Sequence, residues 1–132
     1  MRLRSRILVL LPLACALMLA PARAADVAAQ KHPDVVAAKV QARIADRFDF
    51  DVTVSSPYDT AQRYADAFRV MHKDGSVYAQ RLLLHDHAGE QPFTRDLYGV
   101  RVPRGVRSVV IQARDQQHGW GGKTLEVALP GR

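Results

Sequence analysis

From Phe48 onward the apolar positions recur every second residue. Phe48, Phe50, Val52 and Val54 alternate with Asp49, Asp51, Thr53 and Ser55, the pattern of a strand with one buried and one wet face. A second strand is predicted over Ala67–His72, with Phe68 and Val70 on one side. Lys73-Asp74-Gly75-Ser76 then reads as a tight hairpin turn, because Asp-Gly supplies the positive φ such a turn requires. The return strand is predicted over Val77–His87. Further strands follow at Phe93–Val102, with Gly99 as a bulge position, at Val106–Asp115, and at Lys123–Leu129 after the glycine-rich turn His118–Gly122. Ahead of these strands the period is four instead of two. Val36, Val40, Ile44 and Phe48 line one face of a helix, predicted over Asp34–Arg47 with Pro33 at its first position.

Short strands separated by turns every 8–12 residues or so predict two packed sheets. The fold class expected is therefore mainly β. It is a small immunoglobulin-like β-sandwich of six or seven strands, preceded by a short N-terminal helix. No internal repeat or low-complexity segment interrupts it.

The chain's beginning changes the picture of its charge. Arg2, Arg4 and Arg6 form a basic head, Ile7–Leu19 is apolar apart from Pro12, and Ala22-Arg23-Ala24 has the small-x-small spacing of a cleavage site. Residues 1–24 thus read as a signal peptide, with Cys15 inside it and removed with it. The apolar stretch is shorter than the roughly 20 residues a membrane helix needs. What remains is a loose segment over residues 25–32 and one domain over 33–132. The formal net charge of +6 falls by four on cleavage, since Arg2, Arg4, Arg6 and Arg23 leave with no acidic residue, and becomes +2. That surplus is too small to point to nucleic acid. No cysteine is left for a disulfide framework, so stability must come from the core.

Candidate chemistry concentrates at His85-Asp86-His87. On an extended strand the two imidazoles share one face and Asp86 takes the other. Neutral imidazole is a good ligand for zinc or copper. Glu90 follows closely, and His118 lies in a turn that a sandwich would place at one of its ends. His85, His87, His118 and Glu90 are therefore the candidate metal ligands, with Asp115 in reserve. The strand itself supplies only two of the three or four ligands zinc requires, so the plain alternative is a strand turning polar at the surface. A second candidate is an interaction surface of Phe93, Arg95 and Trp120, aromatic and basic residues expected in loops. Its alternative is that the two aromatics fold back over the end of the core. No Gly-x-Ser-x-Gly elbow and no phosphate-binding glycine loop is present.

The block His85-x-His87-x2-Glu90 resembles the first metal motif of cupins, in which two histidines and a glutamate bind metal inside a β-barrel. Gly99-x3-Pro103-x-Gly105 resembles part of their second motif. The resemblance covers residues 81–108. The gap from histidine to Glu90 is a residue short, and Ser108 stands where the second motif would carry its histidine. The resemblance implies a cupin-like β-barrel as the alternative fold. The function expected is an exported, non-enzymatic binding or interaction module in the periplasm or outside the cell. Its partner would be an unidentified protein or glycan, with no nucleic acid and no membrane span after cleavage. A periplasmic zinc- or copper-binding protein is the competing class, and a small cupin-type enzyme the third.

Overall fold

The computed structural model describes residues 30–132. The signal peptide read at residues 1–24 and the first five residues after it lie outside the described residues. Seven strands follow: β1 Asp34–Ala42, β2 Arg47–Ser55, β3 Ala65–Met71, β4 Val77–Leu82, β5 Phe93–Arg101, β6 Ser108–Asp115 and β7 Gly119–Ala128. They form two antiparallel sheets, β1-β2-β5 and β4-β3-β6-β7. This is the expected β-sandwich. It is not the closed barrel that the cupin resemblance implied. A constant-type immunoglobulin layout places the fourth strand in the sheet of the first, second and fifth, beside the fifth; here β4 lies in the other sheet, beside β3.

The core follows from the alternation. Phe50, Val52 and Val54 of β2, Phe68 and Val70 of β3, Phe93 of β5, and Val109 and Ile111 of β6 are all wholly buried between the sheets. Burial of each such side chain stabilises by about 1.5–3 kcal/mol. Asp49, Asp51, Thr53 and Ser55 take the other face of β2, as the period of two requires. The predicted turn at Lys73–Ser76 also forms: the His72 carbonyl accepts the Gly75 amide at 2.9 Å, and Gly75 has φ +94°.

The helix predicted over Asp34–Arg47 does not form. Residues 34–42 are β1, paired with β2 from Asp34↔Ser55 to Ala42↔Phe48. A bulge between Val35 and Ala37 shifts the register, so Val35, Ala38 and Val40 turn inward while Val36 is 47% exposed. That bulge breaks the two-residue alternation and leaves a misleading four-residue one. Ile44, assigned to the helix stripe, is 89% exposed in the β1–β2 turn. Ala45 and Asp46 there carry φ +59° and +57°, a left-handed pair that tight hairpins use.

Several strand limits also move. β4 stops at Leu82, so Leu83–His87 is not strand. The last turn is Gln116–His118, and the glycines after it belong to β7. On one side of the sandwich the start of β1 packs on the start of β7: the Lys123 amide donates to Asp34 Oδ1 at 2.8 Å. On the other side β4 and β5 are both sheet edges. Arg81 crosses between them, donating to the Asp96 carbonyl at 2.8 Å and to its Oδ1 at 2.7 Å.

Candidate functional site

The ends of β2, β4 and β6 and the starts of β3, β5 and β7 meet at one pole of the sandwich, because every pairing is antiparallel. Two buried carboxylates hold the connections there. Asp59 accepts the Ala65 amide and the His87 amide, each at 3.0 Å. Asp115 is wholly buried. It accepts the Gln117 and His118 amides at 2.9 and 2.8 Å, which closes the β6–β7 turn, and it pairs with Arg63 Nε at 3.1 Å. Arg63 also donates to the Gln30 and Lys31 carbonyls, both at 2.9 Å, and stacks on Tyr58 at 4.0 Å. Gln30 and Lys31, read from sequence as loose, are therefore tied down. The Tyr58 hydroxyl is buried against Asp115 without the geometry of a good hydrogen bond. Burial, reinforced by that carboxylate, pushes its pKa far up.

The same pole carries His85, His87 and His118. The first two come together, their ring centroids 4.9 Å apart. His85 Nδ1 lies 2.9 Å from the Asp86 carbonyl, a contact that leaves Nε2 as the free nitrogen. His118 stands instead beside His32, at 6.2 Å. The segment from Ser56 to Tyr64 intervenes, with Asp59 tied to His87 and Arg63 tied to Asp115. The Glu90 carboxylate is engaged by Arg95 at 3.1 Å. The four expected ligands are thus not assembled: among the described residues no three histidine, cysteine, aspartate or glutamate side chains gather around one point. Asp115, held in reserve as a ligand, is a structural anchor.

His87 is only 6% exposed and stacks on Phe93 at 3.9 Å, with its Nδ1 buried and unpartnered. Burial lowers its pKa below 6.5, helped by Arg95 and His85 and opposed by Asp59 and Glu90. The native ring is therefore neutral where an unfolded one would already be charged. Its contribution to stability is complete above pH 6.5 and is lost as the pH falls from 6.5 toward the lower folded value. Denaturant midpoints measured between pH 7.5 and 5 should fall with pH in the native sequence and fall less in His87→Phe. Equal slopes would disprove this assignment.

The expected interaction surface divides. Phe93 opens β5 and is wholly buried, so it belongs to the core and not to a loop. Arg95 lies over it at 5.7 Å and is paired with Glu90. Trp120 lies elsewhere, on β7, half-buried on the outer face of the four-stranded sheet. The register sets its neighbours. Leu82, Ala67, Arg114 and Trp120 form one rung across the sheet, Gln80, Arg69 and Gln112 the next, and Met71, Val110 and Glu126 another. The Arg69 guanidinium carbon lies over the indole, 4.0 Å from its centroid, and Arg114 approaches it at 5.3 Å. Gln112 Oε1 holds Arg69 Nε and Nη2 at 3.2 and 2.6 Å. Asp66 holds Arg114 at 2.7 and 3.1 Å. Leu82 at the end of the first rung is 56% exposed.

Sequence reasoning found Trp120 and missed Arg69, Gln112 and Arg114. A signal was available: each basic or amide residue alternates with core residues, Arg69 between Phe68 and Val70, Gln112 between Ile111 and Ala113. Polar residues on the wet face of a strand are ordinary, and only the pairing of strands puts these three beside the indole.

No family model and no solved structure matches the chain. A curated protein of Halomicrobium mukohataei named "Putative lipoprotein" is 34% identical over 97 residues, covering 74% of this chain and 47% of that protein. The chain spans about half the length of the curated relative it matches. Among the described residues no helix is long and apolar enough to cross a membrane.

Proposed function

We propose that this chain is an exported, envelope-associated interaction module that docks a protein partner on the outer face of its four-stranded sheet. Export is supported by the basic and apolar leader and by the likeness to a protein named "Putative lipoprotein". Placement in the periplasm is part of the same reading. The docking surface rests on one observation: Trp120, Arg69, Met71, Val110 and Leu82 occupy neighbouring rungs of one sheet face. Tryptophan, arginine and methionine are enriched in the centres of interfaces, where lysine and glutamate are depleted. The strands hold these side chains rigidly, which lowers the ordering cost of association.

The test is site-specific photo-crosslinking in the native cells. A photoreactive residue in place of Gln80, on the face, should give a discrete adduct that Leu82→Asp abolishes. The same residue in place of Lys39, exposed on β1, should not. Adducts from neither site, or the same adducts from both, would remove the proposal. The intact mass of the recovered protein reports on export: cleavage after Ala24 leaves a chain beginning at Ala25, whereas a lipid-anchored form would begin at Cys15.

The metal-handling reading now rests on the His85–His87 pair alone. Stoichiometric zinc or copper uptake by the purified protein, lost in His85→Ala, would favour it.

A further inference from the structure

We infer that the partner presents a carboxylate to Arg69, so that the sheet face recognises an acidic side chain on a protein surface. This inference rests on the docking reading above and adds its chemistry. Three observations carry it.

The first is a charge imbalance at the middle of the face. Arg114 is paired with Asp66 at 2.7 Å, and Lys73 with Glu126 at 2.9 Å. Arg69, on the rung between them, has no carboxylate partner among the described residues; its only side-chain acceptor is the neutral amide oxygen of Gln112. A guanidinium has five N–H donors. One on Nε and one on Nη2 are engaged by Gln112, so the Nη1 pair and the second Nη2 proton remain for an incoming group.

The second is preorganisation. Stacking on Trp120 and the two bonds to Gln112 fix the plane of the guanidinium. The group is already half-buried, so part of its hydration is gone before any partner arrives. A carboxylate matches this fork with parallel charge-assisted hydrogen bonds.

The third is what the rest of the face disfavours. A second copy docked about a two-fold axis through this face would bring Arg69 toward its own twin, a like-charge contact that opposes association. Nucleic acid and anionic membranes are held by many cations together, and among the described residues of these three rungs Arg69 is the one cation without a carboxylate. The flanking Leu82, Met71 and Val110 suit the apolar surroundings of an acidic residue on a protein.

Trp120 is the sole tryptophan in the chain, so its emission reports on this face. The protein, without its leader, would be titrated at low salt with an acetylated hexaglutamate peptide, with hexalysine, and with an oligogalacturonate of equal charge. A saturable change in Trp120 emission is expected with hexaglutamate and not with hexalysine. Binding should weaken about tenfold in Arg69→Met and in Arg69→Gln, the second variant retaining a polar group beside Gln112. Each variant's melting curve establishes that it is folded. No response to hexaglutamate, or unaltered binding in both variants, overturns the inference. Equal or tighter binding of the uronate overturns the assignment to protein. If the Gln80 cross-link persists in Arg69→Met, the docking face stands and carboxylate recognition falls. If the cross-link is absent from the native protein, the docking reading itself fails.

Discussion

Asp115→Ala is expected to destabilise the domain by about 3–5 kcal/mol, the cost of removing one partner from a buried ion pair. Three groups lose their acceptor at once: the Arg63 guanidinium, whose side chain is only 20% exposed, and the Gln117 and His118 amides. With Arg63 released, the Gln30 and Lys31 carbonyls lose their donor too. In a domain of this size a loss of that order lowers the melting temperature by more than about 12 °C. Asp115→Asn should fall between, since an amide oxygen still accepts the turn amides while the charge opposite Arg63 is gone. Thermal melts of the three proteins decide it, and a loss below about 1 kcal/mol in Asp115→Ala would show that Arg63 is not anchored there. The pH dependence has a definite sign. Burial alone would raise the Asp115 pKa, but the Tyr58 hydroxyl, the His118 and Gln117 amides and Arg63 outweigh it and hold it below 3.8. The stabilisation is complete above pH 3.8 and disappears as the pH falls through the lower folded value.

The second large effect is expected at Gly122. Its φ is +76°, and a Cβ built there would stand 2.0 Å from the Pro33 carbonyl oxygen. Gly122→Ala must therefore drive the start of β1 away from β7 and break the bond from the Lys123 amide to Asp34. The left-handed conformation alone costs a non-glycine residue about 1–2 kcal/mol, and the backbone clash adds to it. Gly75 separates the two contributions: its φ is +94°, yet nothing lies within 4 Å of a Cβ there. Gly75→Ala should show only the conformational cost, and Gly122→Ala clearly more, with faster amide exchange in β1. Equal urea midpoints for the two variants would rule out the close approach of β1 and β7.

Most strands were legible because a two-residue period survives wherever one strand face is buried along its whole length. β2 is the clearest case, with Phe48, Phe50, Val52 and Val54 inward without a break. β1 was not legible for two reasons that act together. Its alanines, Lys39 and Gln41 favour a helix locally, and the bulge after Val35 moves the inward positions out of alternation. Pairing with β2 overrides the local preference. The turn at Ala45-Asp46 hid as well, since it reaches left-handed conformations without the glycine or asparagine that normally advertises them. The site was half-legible. His85 and His87 do meet, as one-residue spacing suggested, though on a connection beyond β4. Asp115 at two and three residues before amides in need of an acceptor was readable as a turn anchor. The Arg69–Trp120 contact was not, because it joins residues 51 positions apart through a shared sheet face.

The parallel course of β1 beside β7 has a consequence for reach. Pro33 enters next to the beginning of β7, while Arg132 is bound to Asp46 in the turn that follows β1. Polypeptide joined to one terminus would depart from the north of the sandwich, and polypeptide joined to the other from the south. β1 is 9 residues long, and at about 3.3 Å per residue this separates the two departure points by roughly 30 Å. Held by its first residues to a surface, the domain acts as a rigid spacer that carries whatever follows it that much farther out. A pulling force between the termini would load the packing of β1 against β7, and the single bond from the Lys123 amide to Asp34, lengthwise, in shear.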